Sequence, residues 1–272
     1  MGAPWRALLR SVLYLLWTLP LIPLQVVLLL AWPRAAAALP CLCHRVCLRL
    51  LGLEVTVRGR RAGPPPVLFA ANHSSYLDIV VLGAVIPGVF VSKMEIAEWP
   101  LFGLLARLQR TVFIERRARR KVQAQSAAIR RRLAAGELVV LFPEGTSDDG
   151  TRVLPFKSAL LAAAEAPIAG RPVLVQPVTV AYTRLDGLPL GRRLRPLVAW
   201  YGDMAFAPHA WRCLGLGRLG VEVIFHPPLS LAEAGSRKAL AARCQAAVAD
   251  GLARALAGRD LPPPAAWPSC WP

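Results

Sequence analysis

Between Ser11 and Pro33 the chain runs 23 residues without a charged side chain, with Arg6 and Arg10 before the stretch and Arg34 after it. About 20 consecutive apolar residues are enough to cross a bilayer as a helix. A soluble core has little need of such a stretch, and the chain as a whole is already 55% hydrophobic with a mean hydropathy of +0.44. The segment therefore predicts contact with lipid. Pro20 and Pro23 each remove a helical donor inside it and predict a kink or break. Basic residues flank both ends, with Arg45 and Arg49 further on, so charge asymmetry selects no orientation. Both features point to a segment that enters one leaflet and returns, leaving its two ends in the cytoplasm. A cleavable leader is the competing reading, because small residues follow at Ala35-Ala36-Ala37-Ala38. The apolar run is longer than the roughly 7–15 residues of a leader, and Arg34 interrupts the approach to the alanines. Retention as an anchor, over residues 1–52, is the expectation.

Lys and Arg outnumber Asp and Glu 33 to 16, a formal net charge of +17. Such a field attracts polyanions: nucleic acid, anionic lipid headgroups, phosphate-bearing substrates or an acidic carrier protein. Cys41, Cys43 and Cys47 cluster beside His44, a spacing that can serve zinc, but Cys213 and Cys244 are isolated and supply no second ligand pair. Packing as small hydrophobes is the better reading. A disulfide framework is not expected in so long and apolar a chain, which suits reduced cysteines facing the cytosol.

Beyond residue 52 the pattern changes. Leu53 to Arg58 alternates apolar and polar residues, the period of a half-buried strand. After Gly63-Pro64-Pro65-Pro66, the run Val67 to Ala71 reads as a buried strand. Further strands are predicted around Val89–Val91, Val112–Ile114, Leu138–Phe142, Val173–Val175, Leu197–Trp200 and Val221–Phe225. Helical patterns lie between many of them. Val122, Ser126, Ile129 and Leu133 share one face ahead of Gly136. Leu240, Cys244, Val248, Leu252 and Leu256 repeat every four residues, with Ser236 placed to cap the start and Gly258 the end. The fold class implied is α/β, a central mostly buried sheet flanked by helices over residues 53–258, with the N-terminal helical segment in the membrane. A Pro-rich tail, 259–272, is too short to form a core.

Three clusters carry chemistry. Asn72-His73-Ser74-Ser75-Tyr76-Leu77-Asp78 directly follows the strand ending at Ala71. Five residues apart on an ideal helix, His73 and Asp78 would point about 140° from each other. They meet if His73 sits in the turn before a helix, with Ser74 or Ser75 capping it and Asp78 in its first turns. A carboxylate behind an imidazole sets its tautomer and makes it a better base toward an alcohol. Phe142-Pro143-Glu144-Gly145-Thr146 follows another strand; glycine permits close backbone approach, and Glu144 is an acceptor for a polar group. Val112-Phe113-Ile114-Glu115-Arg116 places a cation at a third strand end, the place where open α/β sheets bind ligands. Each cluster alone also reads as an ordinary turn, a helix start or a solvated basic face.

Together they resemble the glycerolipid acyltransferase family of PlsC type, which includes bacterial 1-acylglycerol-3-phosphate acyltransferases. The family's Asn-His-x4-Asp block matches Asn72, His73 and Asp78; its aromatic-aliphatic run ending in Arg matches Phe113, Ile114 and Arg116. Its Phe-Pro-Glu-Gly-Thr block matches residues 142 to 146, and its Pro within an apolar strand matches Pro177. The resemblance implies His73 as general base, Asp78 as its orienting partner, and Arg116 as ligand of the acceptor's anion. It implies that Asn72, Phe113, Glu144, Gly145 and Thr146 shape the acceptor site. The implied donor is acyl-CoA or an acidic acyl carrier protein, with no metal or prosthetic group, because the thioester is already activated. By default the acceptor is 1-acyl-sn-glycerol-3-phosphate and the product phosphatidate, made at the cytoplasmic face of the inner membrane against an anionic lipid surface.

The sequence departs from the phosphatidate-forming pattern in one informative place. Many such members continue the third block with Arg, whereas Ser147 stands here. Residues 146–155 and 176–184 look closer to the lyso-ornithine lipid acyltransferase branch, which is the alternative reading. A serine hydrolase would want a Gly-x-Ser-x-Gly elbow, which does not occur. A nucleic-acid binder would explain Arg130-Arg131-Arg132 but not the apolar segment or the ordered blocks, so no nucleic acid partner is expected. A non-catalytic basic membrane-surface protein is the remote alternative.

Overall fold

The computed structural model describes residues 2–114 and 122–271. Eight strands form one sheet: β1 (Leu53–Arg58), β2 (Val67–Ala71), β3 (Gly88–Lys93), β4 (Val112–Ile114), β5 (Leu138–Leu141), β6 (Leu174–Leu185), β7 (Leu188–Pro189) and β8 (Leu219–Phe225). Their order is β1-β8-β6-β2-β5-β3-β4, with β7 as a short hairpin partner of β6. Neighbours along this path are parallel except β6 and β8. The parallel run β2-β5-β3-β4 thus brings four strand C-termini to one edge, and β2 and β5, which precede two of the sequence blocks, are direct neighbours.

Alternation along the strands fills both faces. Val67, Phe69 and Ala71 of β2 join Val140, Phe142, Val178 and Val180 beneath α2 (Pro33–Leu51) and α3 (Leu77–Val85). Leu68 and Ala70 face the other way, with Val139, Leu141 and Val175, toward α5 (Val122–Ala134) and α8 (Arg237–Ala257). A central strand buried on both faces must be apolar at every position, as Val67 to Ala71 is. The α8 pattern is realised as the periodicity predicts: Ser236 Oγ accepts from Ala239 N, and Gly258 ends the helix with φ +68°.

Three expectations need correction. Pro20 and Pro23 do not break the apolar segment; α1 is one helix from Pro4 to Ala31. The chain turns at Trp32 instead, and Pro33 opens α2 at a position where its missing N–H costs nothing. α1 stays continuous because one stripe, Ala7, Thr18 and Gln25, is held against neighbouring elements. Gln25 Nε2 donates to Ala36 O (2.9 Å) and to Leu108 O (3.1 Å). At the other end Arg10 Nη1 donates to Leu214 O and Leu216 O at 3.0 and 2.9 Å, close to Gly52 at the end of α2. The two helices therefore form an antiparallel hairpin. Among the described residues α1 is the one helix long and apolar enough to cross a membrane. Its outer face exposes Leu16, Leu19, Val27 and Leu30, the last 83% exposed, beside Phe102 and Leu104 of α4 (Phe102–Leu108).

Second, Leu197–Trp200 is not a strand. Val198 N and Ala199 N both donate to Arg195 O, which closes a helical turn, and Trp200 N donates to Ser74 O at 2.8 Å. The apolar content there serves burial, which a strand and a turn satisfy equally. Third, Cys41 and Cys270 form a disulfide across a separation of 229 residues. The tail folds back along β1, where Ala265 N donates to Val57 O at 2.8 Å, and passes Arg45, which stacks over Trp267 and hydrogen-bonds Pro268 O. That route delivers Cys270 to α2. The other two cysteines of α2, Cys43 and Cys47, are free thiols packed with the apolar core, as expected of small hydrophobes. His44 beside them is taken up by Gln109 at 3.3 Å and lies so close to Gly83 of α3 that a Cβ there would sit 2.3 Å from its ring.

Candidate active site

The turn after β2 is built around one carboxylate. Asp78, in the first turn of α3, is 0% exposed. Its Oδ2 accepts from His73 Nδ1 (2.9 Å), Ser74 N (2.8 Å) and Ser75 N (2.9 Å). Its Oδ1 accepts from Tyr182 Oη–H at 2.8 Å. Four donors converge on its two oxygens, so Asp78 is an acceptor at every contact. With every other position on Asp78 taken by a donor, the proton between the two side chains belongs to His73 Nδ1. In that tautomer Nε2 is the ring nitrogen that carries the lone pair. The ring stacks on Phe142, centroids 4.1 Å apart, and the side chain remains 19% exposed. The arrangement fixes the ring just past the C-terminal end of β2, with Nδ1 on Asp78 and one face on Phe142.

Asn72 and Glu144 hold this turn in place. Asn72 Nδ2 donates to Val180 O and its Oδ1 accepts from Val180 N (2.9 and 2.8 Å), so the side chain prolongs the β2–β6 ladder by one rung. Glu144 Oε1 accepts from His73 N at 2.8 Å and Oε2 from Leu154 N at 2.9 Å. Both residues were expected at the acceptor. Here both are buried and their polar side-chain atoms are engaged by backbone, Glu144 directly on the His73 amide. Gly145 follows with φ +74°, a conformation suited to glycine, and turns the chain so that Thr146 is exposed. Phe113 lies half-buried on β4, opposite in direction to the core residues Val112 and Ile114. Arg116 lies outside the described residues.

Tyr182 is the site residue that sequence reasoning missed. It sits 104 positions from Asp78 and its only local signal is a hydroxyl on the apolar face of a strand, shared with Val178 and Val180. Burial and the adjacent carboxylate hold its phenol well above the usual tyrosine range, so it serves as a proton-bearing donor to Asp78.

Burial pushes the Glu144 carboxyl up to about 7, against the pull of its two backbone donors. Between pH 4.5 and about 7 the folded chain holds a proton that the unfolded chain has released. The resulting penalty is absent below that window, grows as pH rises through it and is complete above it. Glu144→Gln removes the titration. Wild type should therefore lose about 3 kcal/mol relative to the variant between pH 4.5 and 8. Urea unfolding in detergent across that range checks it; a constant difference would contradict the shift.

Comparisons with known proteins agree with the geometry. Residues 54–181 match the model of a family described as Acyltransferase. The chain is 45% identical over 251 residues, 90% of this chain and 93% of the relative, to a lyso-ornithine lipid O-acyltransferase of Brucella abortus. It is 38% identical over 192 residues, 70% of each chain, to a 1-acyl-sn-glycerol-3-phosphate acyltransferase of Neisseria gonorrhoeae. The crystal structure of the 1-acyl-sn-glycerophosphate acyltransferase PlsC from Thermotoga maritima shares the fold, with a TM-score of 0.56 at 20% identity over 92% of this chain and 98% of that one.

Proposed function

This chain belongs to the acyltransferase family, as an enzyme of the lysophospholipid type acting with a lysolipid acceptor and an acyl donor, and from that premise we propose that it completes ornithine lipid. Its substrate is a lyso-ornithine lipid, whose free hydroxyl takes a fatty acyl group from acyl-CoA or acyl carrier protein. The carrying observation is the 45% identity over nearly the whole chain to a lyso-ornithine lipid O-acyltransferase, against 38% over 192 residues for a phosphatidate-forming relative. Ser147, standing where many phosphatidate-forming members carry Arg, supports the same choice over lysophosphatidate, the default acceptor of the family.

In this reading His73 Nε2 accepts the proton of the acceptor hydroxyl as that oxygen attacks the thioester carbonyl. The new C–O bond forms, the C–S bond breaks, and the departing thiolate takes the proton from the imidazolium. Asp78 holds Nδ1–H throughout and stabilises the charged ring, while Tyr182, Asn72 and Glu144 fix Asp78 and the turn. No metal or prosthetic group enters these steps. Arg116, Gly145 and Thr146 are proposed at the rim of the acceptor site. Phe206 gathers the rings of Tyr76, Trp99, Phe102 and Trp200 with centroids 5.0–6.0 Å from its own. This aromatic set lies between the exposed apolar side of α4 and the His73 turn, which suits a substrate arriving from lipid.

We place the enzyme on the cytoplasmic face of the inner membrane, with α1 laid along the lipid and the basic surface toward anionic headgroups. A disulfide is uncommon in that compartment. Cys41 and Cys270 are 1% and 6% exposed, which shields the bridge from soluble reductants.

A matrix of lysolipid acceptors against the two donors tests the assignment. Purified enzyme should turn over lyso-ornithine lipid faster than lysophosphatidate; the reverse order would replace the acceptor. Ser147→Arg should raise the lysophosphatidate to lyso-ornithine ratio by roughly tenfold, since it adds one charge-assisted contact for phosphate. An unchanged ratio would remove Ser147 from the selectivity argument.

A further inference from the structure

The cation that a phosphate-binding third block would supply is missing at Ser147, and the two residues after it, Asp148 and Asp149, are anions. This turn rests directly on the His73 loop: Asp148 N donates to His73 O at 3.1 Å, and a Cβ on Gly150 would touch Ser74 Cβ at 3.4 Å. A second segment reaches the same loop from β6. Trp200 N donates to Ser74 O at 2.8 Å, and Arg195 lies one helical turn before it, where its carbonyl receives Ala199 N at 2.8 Å. Arg195 and Asp149 thus flank the His73–Ser74 turn from two chain segments. Their charges feel each other: burial pushes the Asp149 carboxyl up, but the Thr151 donors, then Arg152 and then Arg195, hold it below its usual range.

Arg195 is nonetheless unspent. Its Nε is buried without a hydrogen-bond partner, and among the described residues no carboxylate stands within 4.0 Å of its guanidinium. The neighbouring acids are already engaged: Asp149 Oδ1 accepts from Thr151 N and Oγ1 at 2.8 and 2.6 Å, and Asp148 Oδ2 from Arg152 Nε at 3.0 Å. A half-buried guanidinium with an unpartnered Nε, on the helical turn whose following residue Trp200 meets the His73–Ser74 loop, has the charge and the spare donor capacity to receive an anion. The anion that suits it is singly charged and planar, because two fixed carboxylates on the facing turn oppose a doubly charged phosphate. An ornithine headgroup whose α-amine is amide-linked offers one carboxylate and one ammonium, a match for Arg195 on one side and the acidic turn on the other.

We propose that Arg195 is a specificity-determining residue that binds the carboxylate of an amino-acid headgroup beside His73. The inference rests on the lyso-ornithine reading of the acceptor above.

The test compares lyso-ornithine lipid, its carboxyl methyl ester and lysophosphatidate as acceptors for full-length wild type, Arg195→Gln and Arg195→Lys. Wild type should prefer the free acid over the ester by roughly tenfold in kcat/KM, carried mainly by KM, as expected of one charge-assisted contact. Arg195→Gln should bring the two acceptors to within about twofold of each other, and Arg195→Lys should recover part of the preference. If Arg195→Gln slows acid and ester equally, the residue is structural and the assignment is overturned. An unchanged acid-to-ester preference overturns it too. If wild type acylates lysophosphatidate but not lyso-ornithine lipid, the acceptor reading itself fails and takes this inference with it, a result distinct from both others.

Discussion

Replacing His73 with Ala should lower kcat for acyl transfer by roughly a thousandfold, the range that a positioned general base contributes. The ring is partly exposed and its one polar bond goes to Asp78, which keeps three other donors. The variant should therefore fold and remain membrane-associated. Single-turnover acyl transfer from a labelled thioester, alongside a thermal melt, separates the two consequences. Near-normal turnover in a folded variant would remove His73 from the reaction. A lost melt would be equally informative, since it would mean that the stack on Phe142 stabilises the domain more than its single face suggests.

Asp78→Asn should be nearly as damaging to catalysis and far more damaging to stability. The native carboxylate accepts four hydrogen bonds, three of them on one oxygen. An amide offers one oxygen, so either Tyr182 or the His73–Ser74–Ser75 set faces an NH2 group. Leaving buried donors unmatched costs about 1–3 kcal/mol each, so the variant should lose at least ~2 kcal/mol. With an amide in place, Nδ1 is no longer held as the protonated nitrogen, and part of the population should expose Nε2–H, which is no base. The expected loss in kcat is roughly a hundredfold or more with little change in KM. A variant with normal kcat and lowered stability would reduce Asp78 to a scaffold for the turn. Tyr182→Phe, which deletes one donor and no charge, should fall between this variant and wild type in both respects.

Much of the architecture was legible from local pattern. β1, β2 and β4 occupy the predicted residues because alternation or continuous burial leaves a short apolar run few other uses. α8 was readable to its caps, since Ser236 and Gly258 do their work within a few residues of where they stand. The strand misassigned at Leu197–Trp200 shows the limit of that method. Apolar residues there satisfy burial through a turn that leans on Ser74, and periodicity over four residues cannot tell the two apart. β6 runs twelve residues, far past Val175, because its second half gains an antiparallel partner in β8 that no local pattern announces.

What the sequence determined by itself was the kind of element at each place and, through four ordered blocks, the family to which their chemistry belongs. What only the tertiary structure decided was which groups meet. Tyr182 reaches Asp78 across 104 residues, Glu144 carries the His73 amide across 71, and Cys270 finds Cys41 across 229. Periodicity and capping are written in the chain because they depend on neighbours a few residues away. Pairings over such distances depend on strand order, and strand order follows from how whole faces bury one another, a property of the assembled sheet and of no single segment.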